Sequence, residues 1–192
     1  MRRTQDNEFD SLRVEGGLFP GEFLNDLRGQ NLKGQANTDY GLHRTLKLRD
    51  EIGRFWRMAR ADWENFQELM QREDLPRTRE AVQRFLAPLL STVFGFDLSA
   101  TRPIRSGERE FPITHLAFGG ADAHHVPLVL TGPDFELDKS DPTFGEEGRR
   151  RSPQGLMQQY LNATDDALWG VICNGRYMRI LRDNPSMTRP AF

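Results

Sequence analysis

Acidic residues lie in loops on both sides of a short apolar segment, residues 126–130. Asp122 precedes that segment, and Asp134 and Glu136 follow it. Carboxylates near strand ends hold Mg²⁺ in metal-dependent nucleases, where the ion helps to activate the water that attacks a phosphodiester. Loop carboxylates are more often solvated turn residues. These three acids are therefore candidates for catalysis, weighed against an ordinary role in turns.

A nuclease of this kind also needs a lysine two residues after a carboxylate, and the sequence has none at that spacing. Lys139 directly follows Asp138, and adjacent strand residues point their side chains to opposite faces. The segment 126–130, where the carboxylate and the lysine would be expected, is wholly apolar. We therefore predict no catalytic residue, and Mg²⁺ would be a cofactor only if the loop acids formed a divergent nuclease site.

Two further groups have the residue types of a cofactor site without its spacing. His124 and His125 adjoin Asp122, but neighbouring residues of a strand face opposite ways, so His115 would have to join one of them to hold a metal. The glycine-rich stretch 118–122 lacks the strand–Gly-x-Gly–helix order of an S-adenosylmethionine loop. We predict no metal site, and S-adenosylmethionine only in a downstream domain.

Three consecutive arginines, Arg149, Arg150 and Arg151, directly precede a predicted helix start at Ser152. Free backbone N–H groups and the helix dipole favour a phosphate at such a position. The arginines, Ser152 and Gln154 are therefore the predicted nucleic-acid-binding residues, with contacts to the DNA backbone rather than to bases. Pairing of the arginines with the neighbouring glutamates, or simple solvation, is an equally good explanation of the pattern.

The composition limits the classes of protein to consider. The chain has 192 residues and a net charge of −2, so any nucleic-acid binding must be local. Its single cysteine, Cys173, excludes an internal disulfide and fits a reducing cytoplasm. No apolar run approaches the roughly 20 residues of a membrane helix, so we expect a cytoplasmic protein without a membrane partner.

Apolar spacing predicts an N-terminal arm followed by two helices. Residues 1–41 have few periodic apolar positions and form the predicted arm, and residues 42–192 form the predicted domain. After Leu42, aromatic residues recur every three or four positions and predict an amphipathic helix of about 25 to 30 residues. A second helix should begin at Pro76 and end at Gly95, with a kink or break at Pro88.

The second half of the domain has the two-residue period of strands. A hairpin is predicted from residues 102–105 and 111–118, followed by a strand at 126–130 in which Pro127 suits a strand start or a sheet edge. Ser152 should cap a short helix, and strands 168–173 and 176–182 should form a closing hairpin around Asn174-Gly175. This order predicts an α/β (α+β) fold, with the arm and helix pair packed on a mixed sheet that has one crossover helix.

The helix ending in Gln158-Gln159-Tyr160-Leu161, followed by the hairpin with Trp169-Gly170 and Asn174-Gly175, resembles a known family. It is similar to the N-terminal domain of type IIG-like restriction–modification proteins, in which a PD-(D/E)xK nuclease-like module precedes an adenine-specific DNA methyltransferase. The resemblance implies a restriction-endonuclease-like fold, degenerate in this chain because the carboxylate–lysine pair is missing.

Three functions remain as hypotheses. The first is a non-catalytic domain of a restriction–modification or phage-defence DNA methyltransferase that contacts DNA, the methyltransferase domain or other defence-complex subunits. The second is a protein-interaction module that docks a partner subunit. The third is a divergent Mg²⁺-dependent DNA nuclease.

Overall fold

The computed structural model describes residues 9–15, 18–118 and 125–183. The chain forms two compact units, Met1–Arg54 and Phe55–Phe192. The described helices, in chain order, are α1 (Gly21–Gly29), α2 (Leu48–Leu69), α3 (Arg77–Ala81), α4 (Gly145–Gly148) and α5 (Pro153–Ala163). None of the helices in these ranges is long and apolar enough to cross a membrane.

Five strands form one mixed sheet in the order β1-β4-β5-β6-β7. They are β1 (Asp97–Ala100), β4 (His115–Phe118), β5 (His125–Leu130), β6 (Trp169–Cys173) and β7 (Met178–Arg182), and a separate hairpin pairs β2 (Ile104–Ser106) with β3 (Arg109–Phe111). Neighbouring strands are antiparallel except β5 and β6, which are parallel and are joined through α5. The predicted mixed α/β fold with one crossover helix is confirmed.

Both faces of the sheet are covered at its centre, because the central strands alternate buried side chains between two apolar clusters. Leu128 and Leu130 of β5 pack with Phe66 of α2 and Phe85 of the helix that starts with α3. Val129, between the two leucines, packs on the opposite face in a second cluster. Other members of that cluster are Met157, Tyr160 and Leu161 of α5, Phe111 of β3 and Ile172 of β6. The sheet is therefore the middle of three layers.

The helix that begins with α3 continues as helical backbone to Val93. Its turns widen to π-helix at Val82–Leu86 and Leu89–Val93, on both sides of Pro88. A proline inside a helix lacks the N–H for the regular ladder, and wide turns accommodate that loss. Gly95 follows with φ +74°, a left-handed conformation that suits glycine at the end of a helix. The start and end of this helix are as predicted, and π-turns replace the expected break.

The region between this helix and β5 differs from the prediction. The expected strand 111–118 is interrupted at Pro112–Thr114, so that β3 pairs with β2 while β4 pairs with β1 and β5. Strand β1, which has mostly exposed residues, was not predicted. Pro127 lies in a central strand rather than at an edge. It fits there because pairing of β5 with β6 begins one residue later, at Leu128.

The closing hairpin also differs in its turn. Cys173 pairs with Met178, so the connection is the four-residue loop 174–177 rather than a two-residue Asn-Gly turn. Gly175 has φ +85°, whereas the φ of Asn174 is not positive. A two-residue type I′ turn needs positive φ at both positions. Asn174 instead uses its side chain to accept hydrogen bonds from the backbone N–H groups of Arg176 and Tyr177.

Cys173 is 3% exposed at the end of β6, and burial raises the pKa of its thiol. We expect a thiol reagent at pH 8 to react at least about a hundredfold more slowly with the native chain than with the chain in guanidinium, because the sulfur is reached only when the sheet opens. The measurement is the rate of thionitrobenzoate release from Ellman's reagent. Equal rates in the native and denatured chain would show that the end of β6 is not packed as described.

Candidate nucleic-acid interface

A cavity of about 640 Å³ lies where the helix beginning with α3 meets the ends of β1, β4 and β5. Its polar lining residues are Arg77, Thr78, Arg79, Gln83, Thr114 and His115. The helix supplies the first four, and the residues at the start of β4 supply the other two. Among the lining residues in the described ranges, the charged side chains are Arg77 and Arg79, and none is a carboxylate. We call this the arginine cavity.

The two arginines of the cavity have different partners. Arg77 Nε lies 3.3 Å from Asp134 Oδ2, and the Asp134 side chain is 53% exposed. Arg79 Nε donates to the neutral amide oxygen of Gln83 at 3.4 Å. The charge of Arg77 is thus partly balanced by a solvated carboxylate, whereas Arg79 is hydrogen-bonded to a neutral group. An anion in the cavity would meet these two arginines and the neutral polar groups, beside the apolar residues Pro76, Val82, Ala100 and Leu130 that complete the lining.

Thr114 connects the floor of the cavity to β5. Its hydroxyl donates to the carbonyl of Leu128 at 3.1 Å and accepts from the N–H of Leu130 at 2.9 Å. His115 Nδ1 lies 3.0 Å from the same oxygen. The tautomer of His115 sets which of the two groups donates in this contact. Burial lowers the pKa of His115, which favours the neutral form of its ring.

Two of the three candidate catalytic acids pair with cations. Asp134 pairs with Arg77, and Glu136 Oε1 lies 2.7 Å from Lys139 Nζ. Asp122 and His124 lie outside the described residues. Within the described ranges, no group of three or more His, Cys, Asp or Glu side chains is placed to hold a metal ion.

Ser152 caps α5 as predicted, but the backbone of that helix start is not free. Ser152 Oγ accepts from the N–H of Gly155 at 3.2 Å, and Ser152 O accepts from the N–H of Leu156 at 2.9 Å. The N–H of Gln154 donates to Leu137 O at 3.2 Å, and Pro153 has no N–H. The expectation of free amides for a phosphate is therefore wrong, since the chain itself uses them.

The side chain of Gln154 is also engaged. Its oxygen accepts a hydrogen bond from Arg179 Nη1. Arg179 in turn binds Asp138 through its two terminal guanidinium nitrogens, with Nη1–Oδ1 of 2.5 Å and Nη2–Oδ2 of 2.6 Å. The hydrogen bond from Arg179 lowers the pKa of the Asp138 carboxyl. Sequence reasoning missed this network because its members are 25 and 41 residues from Arg179 and share no local motif.

The side chains of Arg149, Arg150 and Arg151 are exposed, and we call them the arginine loop. Arg149 Nε lies 3.7 Å from Glu146 Oε1, and both side chains are largely in solvent. The Arg151 guanidinium contacts Gln159, whose amide oxygen, when turned toward it, accepts at 3.0 Å from Nη2. These partners are solvated or neutral. Phosphate contact by this loop therefore stays a prediction that depends on its side chains alone.

Comparison with protein-family models, curated proteins and solved structures finds no match to this chain.

Proposed function

We propose that this chain is a non-catalytic domain that contacts the phosphodiester backbone of DNA. The observation that carries the proposal is the arginine cavity, in which Arg77 and Arg79 stand beside neutral polar groups. Guanidinium groups match phosphate oxygens in geometry and remain charged at every physiological pH. Mg²⁺ would need oxygen ligands, and the described lining of this cavity provides no carboxylate for it.

Within the mixed α/β class, we assign the domain to a degenerate restriction-endonuclease-like fold as part of the same proposal. It is supported by a mixed sheet with helices on both faces and a parallel pair of strands joined by a crossover helix. Leu128 and Leu130, on the strand where a carboxylate and a lysine would stand in an active relative, are buried against helices. In this proposal the scaffold is retained while the cutting chemistry is lost.

The wider context that we propose is a restriction–modification or phage-defence DNA methyltransferase, in which a separate domain binds S-adenosylmethionine. The arginine loop would add phosphate contacts there, since its side chains are exposed and weakly paired. Such contacts fix the position of a protein on the duplex without reading its sequence. The chain would then rely on its neighbours for the choice of target.

The test is fluorescence-polarisation binding to a labelled 20-base-pair duplex at two salt concentrations. Arg79→Gln should weaken binding by about three- to tenfold and reduce the slope of log Kd against log salt by about one, because one phosphate contact is lost. Arg60→Gln is the matched control. It removes the same charge from an exposed residue of α2 whose partner is Glu64, and binding should not change.

Other results of these experiments would overturn the proposals. Affinity that does not respond to salt, or an equal loss in Arg79→Gln and Arg60→Gln, would overturn the proposal that the cavity binds phosphate. Cleavage of plasmid DNA with Mg²⁺ or Mn²⁺, lost on Asp134→Ala, would establish the nuclease and refute the non-catalytic assignment.

A further inference from the structure

Strand β7 forms one edge of the five-stranded sheet, and its pairing partner is β6. The hydrogen-bond pattern fixes which of its backbone groups point outward. Tyr177 O accepts from Asn174 N, and Asp183 N donates to Leu168 O, so these odd-numbered residues turn toward the β6 side. Because the backbone groups of alternate residues point to opposite sides of a strand, those of Met178, Ile180 and Arg182 point away from β6.

The side chains of β7 also alternate, and one face of the strand is open. Ile180 is 50% exposed and Met178 39%, large values for apolar side chains on a sheet. They lie on the same face as Val171 and Cys173, their cross-strand partners in β6. Helices cover this face over the centre of the sheet, where Cys173 is buried, and leave it uncovered at β7.

Arginines stand at both ends of this open face. Arg182, within the strand, is in phase with Met178 and Ile180, and Arg176 lies in the loop just before Met178; both arginines are exposed. Arg182 lies over the Trp169 ring with its guanidinium carbon 5.3 Å from the ring centre. We call Arg176, Met178, Ile180 and Arg182 the edge face. Along the chain, this face has two exposed apolar side chains between two exposed arginines, each two residues from the next.

Two acidic residues, Asp138 and Asp183, lie on the other side of β7. Asp138 is bound by Arg179, which alternates with the edge face and points toward the start of α5. Asp183 likewise contacts Asn162 of α5 when that amide presents its nitrogen. The carboxylates therefore balance the α5 side of the strand, and no ion pair to Arg176 or Arg182 is found among the described residues.

We propose that the edge face is a docking site for an extended acidic–aliphatic segment of a partner protein, which adds a sixth strand beside β7. The outward N–H and C=O groups of Met178, Ile180 and Arg182 would supply the main-chain hydrogen bonds of such an addition. Aliphatic side chains two residues apart would cover Met178 and Ile180, and a carboxylate at each end would pair with Arg176 and Arg182. The repeated positive charge of the edge disfavours a second copy of this chain as the occupant.

The probe is a blocked, fluorescein-labelled heptapeptide, Glu-Thr-Val-Thr-Val-Thr-Glu, whose odd positions present the complementary pattern to one face. It should bind the full chain, and the same peptide with lysine at both ends should bind at least about tenfold more weakly. In ¹⁵N spectra, the amides of Met178, Ile180 and Arg182 should shift and gain protection from exchange, whereas those of Arg179 and Leu181 already bond to β6.

Two variants and a control make the result decisive. Ile180→Asp should weaken peptide binding at least about tenfold, and Arg176→Gln about threefold. Ile52→Asp is the control, since Ile52 is 55% exposed on a helix and should leave peptide binding unchanged. Thermal melts of all variants are compared, so that a loss of folding is not mistaken for a loss of binding.

The proposal is overturned if the peptide fails to bind at millimolar concentration, if the lysine peptide binds equally well, or if Ile180→Asp and Ile52→Asp behave alike. Concentration-dependent dimerisation abolished by Ile180→Asp would also overturn it, because a second copy would then be the occupant. DNA binding by the arginine cavity is measured separately, with Arg79→Gln as its own variant, and neither result decides the other.

Discussion

Replacing Phe85 by alanine is expected to lower the free energy of unfolding by about 4 kcal/mol. Phe85 is 5% exposed and stacks on Phe66, with ring centres 4.6 Å apart and an interplanar angle of 17°. Trp63 packs on the same ring at 5.5 Å. Alanine would remove both aromatic contacts and leave a cavity between the helices and the sheet, which the surrounding backbone can close only in part.

Phe94→Ala is the matched control for this loss. Phe94 lies at the end of the same helix and is 54% exposed, so its truncation should cost less than about 1 kcal/mol. Urea unfolding followed by tryptophan fluorescence and circular dichroism measures both variants. Similar midpoints for the two would contradict the assignment of Phe85 to the buried cluster.

Asn174→Ala is expected to destabilise the chain by about 3 kcal/mol, the second largest effect. Asn174 is 3% exposed, and its Nδ2 donates to Phe135 O at 2.7 Å while its Oδ1 accepts from two backbone N–H groups of its own loop. The side chain thus ties the hairpin to the segment that follows β5. Alanine leaves a buried carbonyl and the two N–H groups without these partners, and each unsatisfied group costs free energy.

Asn174→Asp separates the donor from the acceptor role of the same side chain. The introduced carboxylate can still accept from the loop, but at neutral pH it faces the carbonyl of Phe135 without a proton. Its folded pKa should therefore lie above the unfolded value of about 3.9, since the neutral form is favoured in the fold. The loss relative to the native chain should be full above that folded pKa and shrink as pH falls through it. A deficit independent of pH would contradict the role of the Asn174 amide as donor to Phe135.

Local sequence signals predicted elements whose stabilising contacts are also local. The aromatic stripe predicted a helix of about 25 to 30 residues after Leu42, and the structure has α2 at Leu48–Leu69, which is shorter, with 22 residues. Ser152 was predicted as a cap and accepts the expected N–H from Gly155. These predictions succeed because helix periodicity and capping depend on residues three or four positions apart.

Elements and contacts that depend on distant residues could not be predicted in this way. Strand β1 has the weakly apolar sequence Asp-Leu-Ser-Ala and exists through its pairing with β4, about 17 residues later. The free amides expected at the start of α5 are absent because Leu137 accepts one of them from another loop. The arginine cavity combines a helix start with residues of three strands, so no single segment of the sequence shows it.

By itself, the sequence determined α2, α5, the helix that begins with α3, the strands β5, β6 and β7, and the absence of a carboxylate–lysine pair around residues 126–130, because each depends on residue type and short spacing. The tertiary structure decided which polar groups are already used. It turned Gln154 toward Arg179, Asp134 toward Arg77 and Asn174 toward Phe135. It also left the edge face of β7 uncovered. A polar group whose hydrogen-bonding capacity the fold already uses is less available to a ligand, and contacts across the chain decide how much of that capacity is left.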